Sequence, residues 1–358
     1  MRIAVLGAGG GGLALAYEWT SQGHEVALYA QHAHEHHLVP VRERGGIQAE
    51  GKLEGFAPLS TVTTDIAEAL DGAEAIFVVG PAYATEPFGR DARGHLRPGV
   101  AVVVCPSSCV GSLAFKRAAG LDLHDESVVV GETSTLPYAA RASMHASVRI
   151  FHRFDTGFSA AAAPRSNTPR LLEVLRQVYR NTDEASGIFQ TTIQNGNPVI
   201  HPAVTLLNAA LIERTGGDFM FYEEGITEAV GRLMKEVDDE RRSVARALGV
   251  EILAEPDIGV REGYMRESNY TTGYSTAPGF RGIKAQDDLH HRYLTEDVGY
   301  SMVFLTDLAR QLSVPTPTMD AIIRIASIVT GQDFAAERAR TMDNMGLSGL
   351  TREQLAAY

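Results

Sequence analysis

The sequence predicts an α/β protein: an N-terminal doubly wound parallel sheet followed by an all-α C-terminal half. Three observations predict it. Short, continuously apolar runs alternate with helical stretches through the first half, a glycine-rich turn joins the first run to the first helix, and strand signals fade after about Gly187 while helical periodicity takes over. The 358 residues suit two domains of ordinary size, divided here at 1–185 and 186–358.

Arg2–Leu6 opens the chain as a β-rich run. Gly7–Gly12 (GAGGGG) follows, and then a helix-forming stretch, LALAYEWTSQG, that stops at Gly23. His24–Ala30 is a second apolar run, so strand, turn, helix and strand form a βαβ unit with a right-handed crossover. Ala75–Val79, Val100–Val104 and Ser127–Gly131 are apolar throughout, as strands buried on both faces require. Ala67–Leu70 and Leu113–Ala119 fit short helices between them, and Ser147–Phe151 with Leu171–Val178 is expected to close the domain as a late strand and helix. In the second half, helices are expected over Ala203–Ile212, Ile226–Leu248 (stopped by Gly249), Glu296–Leu312 and Met319–Ile328. Tyr264–Gly282, rich in Tyr, Thr, Ser, Gly and Pro, reads as a long ordered loop.

Composition narrows the function classes. Hydrophobic residues make up 44% and charged residues 21%, a globular balance. Thirty-two basic against 44 acidic residues give a net charge of −12, which argues against nucleic acid in a chain with no basic patch. No apolar run approaches the ~20 residues of a membrane span, and the opening MRIAVLGAGG does not read as a secretory leader, so a cytoplasmic protein is expected. The two cysteines, Cys105 and Cys109, are too few for a disulfide framework or a zinc site and read as small residues beside a strand end.

Gly7, Gly9 and Gly12 satisfy G-x-G-x-x-G in the context that gives the pattern meaning, after a strand and opening a helix. The first glycine allows the tight turn, the second lets the backbone approach a pyrophosphate, and the third lets helix and strand pack closely. The first domain is therefore expected to be a Rossmann domain, with the active site in the cleft it forms with the helical domain. The expected cofactor contacts are Gly7, Ala8, Gly9, Gly10, Gly11 and Gly12, the strand-end residues Ala30, Gln31 and His32, and Pro81 after the Ala75–Val79 run. An NAD-specific fingerprint wants a carboxylate at the end of the second strand. Ala30 stands there, followed by Gln31, His32 and His34 as donors and by Arg42 and Arg44 within reach. NADP(H) is therefore favoured, with NAD(H) possible. The run His32, His34, His36, His37 reads as a polar loop or as 2′-phosphate ligands; a metal site lacks supporting ligands, and no metal is expected.

Two polar clusters mark the second half. Asn195-Gly-Asn197-Pro-Val-Ile-His201-Pro202 precedes an apolar helix, with His201 at the expected helix start, and Arg292-Tyr-Leu-Thr-Glu296-Asp297 leads into another. Together with GETST (Gly131–Thr135), YEEGIT (Tyr222–Thr227), FRGI (Phe280–Ile283), RYLTEDV (Arg292–Val298) and VPTP (Val314–Pro317), these segments resemble the opine dehydrogenases over nearly the whole chain, nearest to the bacterial N-(1-carboxyethyl)-norvaline dehydrogenase. The bacterial enzyme carries Asp where this chain has Ala30.

The resemblance implies NAD(P)H-dependent reductive condensation of a 2-oxo acid, pyruvate being the common one, with the amino group of an amino acid. It implies His201 and Asp297 as the proton-handling pair and Arg292 as the clamp on a substrate carboxylate. Histidine titrates near neutral pH, and a carboxylate on its other nitrogen fixes the tautomer. Asn195, Asn197, Thr133, Ser134 and Tyr222 are implied to add hydrogen bonds, and Arg281 is either a second carboxylate contact or half of a structural ion pair. A homodimer is expected, with the apolar segment Ala321–Val329 as one way to form it.

Two rival readings remain. Reductases of the ketopantoate or glycerol-3-phosphate type lean on a catalytic lysine, and none of Lys52, Lys116, Lys235 and Lys284 lies near His201 in sequence. A non-catalytic NADP(H) sensor would have no need of the His201–Asp297–Arg292 set.

Overall fold

The computed structural model describes residues 1–143 and 145–358. The chain divides into two compact units, Met1–Thr191 with Tyr358, and Thr192–Ala357.

The first unit begins with β1 (Arg2–Leu6), α1 (Gly10–Ser21), β2 (Glu25–Tyr29), α2 (Val39–Arg44), β3 (Gly46–Gly51), β4 (Gly55–Pro58), β5 (Thr61–Thr63), α3 (Ile66–Leu70), β6 (Ala75–Val78), α4 (Ala82–Ala92), β7 (Ala101–Val104) and α5 (Gly111–Ala119). It continues through β8 (Val129–Thr133), β9 (Tyr138–Ser143), β10 (Ser147–Arg153), β11 (Ser159–Ala163), α6 (Thr168–Leu175) and β12 (Asp183–Glu184) into α7 (Ile188–Gln194), within which the two units divide. The main sheet runs β12-β11-β8-β7-β6-β1-β2-β5. Every pair from β8 to β5 is parallel, while β11 enters antiparallel to β8. The fully apolar runs of β6 and β7 are buried on both faces. Strand order reverses at β1, whose end Leu6 is paired with Tyr29 on one side and Val78 on the other. A ligand crevice belongs at that switch point.

One expectation needs correcting. Ser147–Phe151 is a strand, but β10 does not extend the main sheet. It sits in a second, four-stranded sheet ordered β4-β3-β10-β9. That sheet is tied to α1 through the buried Glu18. The Tyr138 hydroxyl donates to Glu18 Oε2 at 2.6 Å and Arg153 Nε to Oε1 at 2.8 Å. Buried at 3% exposure, Glu18 is tolerable only because it is paired and hydrogen-bonded.

The second unit is helical: α8 (Asn197–Leu207), α9 (Ala209–Thr215), α10 (Glu228–Leu248), α11 (Glu255–Arg261), α12 (Thr272–Ser275), α13 (Arg292–Thr295), a π-helical turn (Asp297–Met302), α14 (Val303–Gln311), α15 (Pro317–Thr330), α16 (Phe334–Glu337) and α17 (Arg352–Leu355). Gly249 closes α10 in the left-handed conformation, as its place after Leu248 predicts. The loop expected over Tyr264–Gly282 is interrupted by α12 and a 3₁₀ turn at Pro278–Phe280. A fully buried ion pair fastens α10 to the chain entering the unit. Arg241 holds Asp238 and donates to the carbonyls of Ile193, Gln194 and Leu253 at 2.8, 3.0 and 3.0 Å. Two of these carbonyls belong to the C-terminal end of α7, where a cation suits the helix dipole.

α8 starts at Asn197, well before the expected Ala203, so His201 lies inside the helix and not at its start. Pro198 and Pro202 hide this in the sequence. Pro198 sits in the first turn, where its missing N–H costs nothing, and Pro202 is carried inside the helix. Likewise the helix expected over Glu296–Leu312 is two pieces, the π turn and α14.

Candidate active site

The glycine turn is built from backbone alone. Gly7 has φ +125°, and a Cβ there would lie 1.9 Å from the Val79 carbonyl oxygen. A Cβ on Gly12 would lie 1.8 Å from the Gly7 carbonyl oxygen, so both positions admit only glycine. At Gly9 the space within 4 Å of a Cβ is open. Gly9 is also the N-cap of α1, with no side-chain cap and no acidic residue in the first turn. An uncapped twelve-residue helix with open space at its N-cap fits a dinucleotide pyrophosphate. Ala8 is buried beside it, and Pro81 is the N-cap of α4, just beyond the crevice end of β6.

At the end of β2, Ala30 is buried, with 3% exposure, and carries no polar group. Gln31 is not left free as a phosphate donor: its Nε2 donates to Asp91 Oδ2 on α4 at 2.7 Å, and the Tyr29 hydroxyl donates to the same oxygen at 2.9 Å. His32, His34, His36 and His37 form an exposed 3₁₀ turn. Arg42 is engaged by Glu35 at 2.6 Å and by the Val62 carbonyl at 2.9 Å, and Arg44 donates to the His145 carbonyl at 3.0 Å. Among the described residues no group of three or more His, Cys, Asp or Glu could hold a metal ion.

In the second unit the structure brings His201, Asp297 and Tyr222 together. His201 Nδ1 lies 2.8 Å from Asp297 Oδ2, and Nε2 lies 3.2 Å from the Tyr222 hydroxyl. With Asp297 ionised, its carboxylate fixes the proton on Nδ1, which leaves Nε2 to accept from Tyr222. Both members of the pair are buried, His201 at 5% and Asp297 at 2% exposure. Burial pushes the Asp297 carboxyl well above its ordinary range; the neighbouring Glu296 charge adds to this and the Arg292 charge opposes it. The Tyr293 ring stacks on the imidazole at 3.8 Å and 20°, and Tyr222 stacks in turn on Phe280 at 4.1 Å and 15°. The π turn is what presents Asp297: the Ser301 N–H reaches back five residues to the Glu296 carbonyl, at 3.2 Å.

Arg292 stands one helical turn before Glu296, and its Nε donates to Glu296 Oε2 at 2.7 Å. Its terminal nitrogens carry the remaining donors of a planar fork. Asn195 Oδ1 accepts from the Asn197 backbone N–H at 3.0 Å and so shapes the entry to α8. Glu255 packs against Gly196 so closely that a Cβ there would lie 2.3 Å from its Oε1. The Tyr264 hydroxyl donates to that oxygen at 3.0 Å, while burial first and the Asp238 charge second push the Glu255 carboxyl up to about 8. Tyr293, Glu296 and Glu255 were not read from the sequence as site residues. A stacking partner leaves no spacing signature, whereas the i,i+4 spacing of Arg292 and Glu296 is the signal from which that pair could be read.

Thr133 belongs to the first unit, where its hydroxyl donates to the Thr135 carbonyl at 2.8 Å and lies 3.2 Å from Cys105 Sγ. Ser134 Oγ accepts from the Ser159 backbone N–H at 3.0 Å. Both cysteines are buried and free, and burial pushes the Cys105 thiol up to about 12, far from a reactive thiolate. Arg281 is exposed. Three of the four lysines, one of which a ketone reductase would need, serve elsewhere. Lys116 holds the carbonyls of Leu123 and Asp125, and Lys235 and Lys284 pair with Asp239 and Asp218 on the surface.

Comparison with known proteins identifies the family and the fold. Residues 184–330 match the family described as NAD/NADP octopine/nopaline dehydrogenase, alpha-helical domain, and residues 2–107 match the NAD-dependent glycerol-3-phosphate dehydrogenase N-terminus. The opine dehydrogenase of Arthrobacter sp. (strain 1C) is 32% identical over 97% of this chain and 96% of its own. The fold is shared with octopine dehydrogenase solved with NADH and L-arginine, at a TM-score of 0.74 and 20% identity over 92% of this chain and 90% of that one. It is shared also with NADP⁺-bound yersinopine dehydrogenase, at 0.69 and 18% over 99% and 96%. No helix among the described residues is long and apolar enough to cross a membrane. The chain belongs to the opine dehydrogenase family and is an NAD(P)-dependent oxidoreductase.

Proposed function

We propose that this protein joins a 2-oxo acid, pyruvate in the first instance, to the amino group of an amino acid and reduces the resulting imine, and that it runs the reverse oxidation. The observation that carries this reading is the buried His201–Asp297 hydrogen bond of 2.8 Å in a chain of this family. The amine nitrogen adds to the carbonyl carbon, the new alkoxide takes a proton from solvent, water leaves, and the resulting iminium takes up a hydride and ends as a secondary amine. When bound, the reduced nicotinamide supplies that hydride. His201 Nε2 takes the proton released when the amine adds and returns it to the departing hydroxyl. Asp297 holds the ring by Nδ1 and steadies the imidazolium. Tyr222, already on Nε2, orients the ring and yields the nitrogen to the reacting groups. Arg292, braced by Glu296, takes the substrate carboxylate on its two terminal nitrogens. Protonated His201 then balances the second of the two neighbouring carboxylates. Asn195 and Asn197 add hydrogen bonds at the entry to α8.

The pyrophosphate lies on Gly7–Gly12 and the ribose at Ala30, Gln31 and His32, with Pro81 alongside. NADP(H) is preferred to NAD(H) because Ala30 puts no charge against a 2′-phosphate. The protein acts in the cytoplasm as a homodimer; exposed Ile325, Ile328 and Val329 on α15 support pairing, and light scattering on the purified protein tests it.

The deciding experiment follows cofactor oxidation with pyruvate plus a panel of amino acids against pyruvate alone. Oxidation that needs both substrates supports the reading. Equal oxidation with the oxo acid alone makes the protein a ketone reductase.

A further inference from the structure

We propose that Asp91, one hydrogen bond behind Gln31, is the carboxylate through which this chain recognises the ribose 2′-hydroxyl of NAD(H). It thereby keeps NAD(H) usable beside NADP(H). The inference rests on the reading that the nucleotide ribose lies at the end of β2.

In the fingerprint the carboxylate stands on the strand end itself and accepts directly from the 2′-hydroxyl. Here that position is Ala30, and the acid comes from a different element. Asp91 projects from α4 one helical turn beyond Phe88, and both face Tyr29. The Tyr29 ring meets Phe88 edge-on at 6.2 Å and its hydroxyl reaches Asp91 Oδ2 at 2.9 Å. The same oxygen accepts from Gln31 Nε2 at 2.7 Å. A carboxylate only accepts, so it fixes which end of the Gln31 amide faces it. The NH₂ end is held at Asp91 and the carbonyl oxygen occupies the other arm of the planar amide. An amide donating to a charged carboxylate has its own carbonyl strengthened as an acceptor. An acceptor suits a hydroxyl and does not suit a phosphate. The Asp91 charge acts in the same sense at longer range. Arg42, which the sequence places beyond the same strand end, has its charge already paired with Glu35. Asp91 and Gln31 therefore do in two residues what one strand-end carboxylate does alone. The histidine turn, which begins directly after Gln31, is left to meet a 2′-phosphate.

The test is direct binding of NADH and of NADPH to the substrate-free protein, followed by nucleotide fluorescence, for the unmodified chain, Asp91→Asn and Gln31→Leu. Asp91→Asn keeps the shape and loses the charge, and its amide can turn its own NH₂ towards Gln31. The dissociation constant for NADH should rise about tenfold, the scale of one charge-assisted hydrogen bond, while that for NADPH holds or falls. Gln31→Leu should shift the ratio in the same direction with the Tyr29–Asp91 bond intact, which covers a folding defect in the first variant. Equal factors for both nucleotides, or no change in either variant, would overturn the proposal while leaving the nucleotide site in place. Failure of the unmodified chain to bind either nucleotide would overturn the site reading as well.

Discussion

The glycine turn of the first unit and the histidine box of the second solve opposite problems. The turn offers a ligand nothing but backbone: three glycines, an uncapped helix end and open space at Gly9. Its requirement is the absence of side chains, and the nearest obstruction to a Cβ at Gly7 or Gly12 is a carbonyl oxygen that cannot move aside. The box around His201 is the reverse. It places an imidazole, a carboxylate and a phenol out of water, where each would be costly alone and where the set is tolerated because the members satisfy one another. A backbone site therefore fails by addition and a side-chain site by subtraction.

The largest effect should come from subtraction at the centre. His201→Ala should lower turnover roughly 10²–10⁴-fold with nucleotide affinity unchanged. Asp297→Asn should also lower it, because an amide stabilises the imidazolium less and can favour the wrong tautomer. Because the two act as a unit, the double variant should be little worse than the worse single one in steady-state kinetics; multiplied losses would mean that they act separately. Addition is tested by a matched pair. Gly12→Ala should destabilise the whole first unit in thermal unfolding, since its Cβ meets a carbonyl at 1.8 Å. Gly9→Ala, with nothing within 4 Å, should leave the melting temperature in place and weaken only nucleotide binding. Equal melting temperatures for the two would show that the turn relaxes. Smaller still, Arg292→Lys should raise the Michaelis constant of a carboxylate substrate by the equivalent of about 1.5–3 kcal/mol while cofactor affinity holds.

The smallest effect concerns the acid behind Gly196. Glu255 ionises near 4.5 in its ordinary state and near 8 in the folded chain. Between those values the unfolded chain has released a proton that the folded chain retains. Its contribution to stability is therefore full below the lower value and is lost as pH rises towards the upper one. Glu255→Gln should flatten the decline in urea-unfolding stability between pH 5 and pH 8. A decline as steep as in the unmodified chain would place the titrating group elsewhere.

The two regions also differed in how far the sequence revealed them. The βαβ unit is legible because its signals are local: four apolar residues in a row at Ile3–Leu6, a glycine pattern and a helix stop within some thirty positions. The second sheet is not. Gly46–Gly51 and Gly55–Pro58 are short and bounded by glycine. In the main sheet, Ser159–Ala163 is equally hidden: four alanines after a serine, a helix-former's composition held in a strand by the sheet around it. In the helical unit, the motif residues were recognisable by resemblance, but not the helix that carries His201, because two prolines inside it read as a boundary. Asp91 was invisible for a different reason. It answers to Gln31 sixty positions away, and no spacing rule connects a strand end to the far turn of another helix.

The π turn at Asp297–Met302 sets a limit on how this protein can be improved. A helix with one residue beyond the α-helical count offsets everything after it by about 100° relative to everything before it. Glu296 and Asp297 keep one phase and the buried face of α14 keeps another, and no single uninterrupted α-helix satisfies both. Deleting one residue between Val298 and Ser301 would return the segment to ordinary α-helix, the kind of regularisation that stability screens reward. It would also rotate the acid away from the imidazole. Along this segment, selection for heat resistance and selection for turnover should therefore pull apart, with the extra residue retained only while the chemistry is under selection.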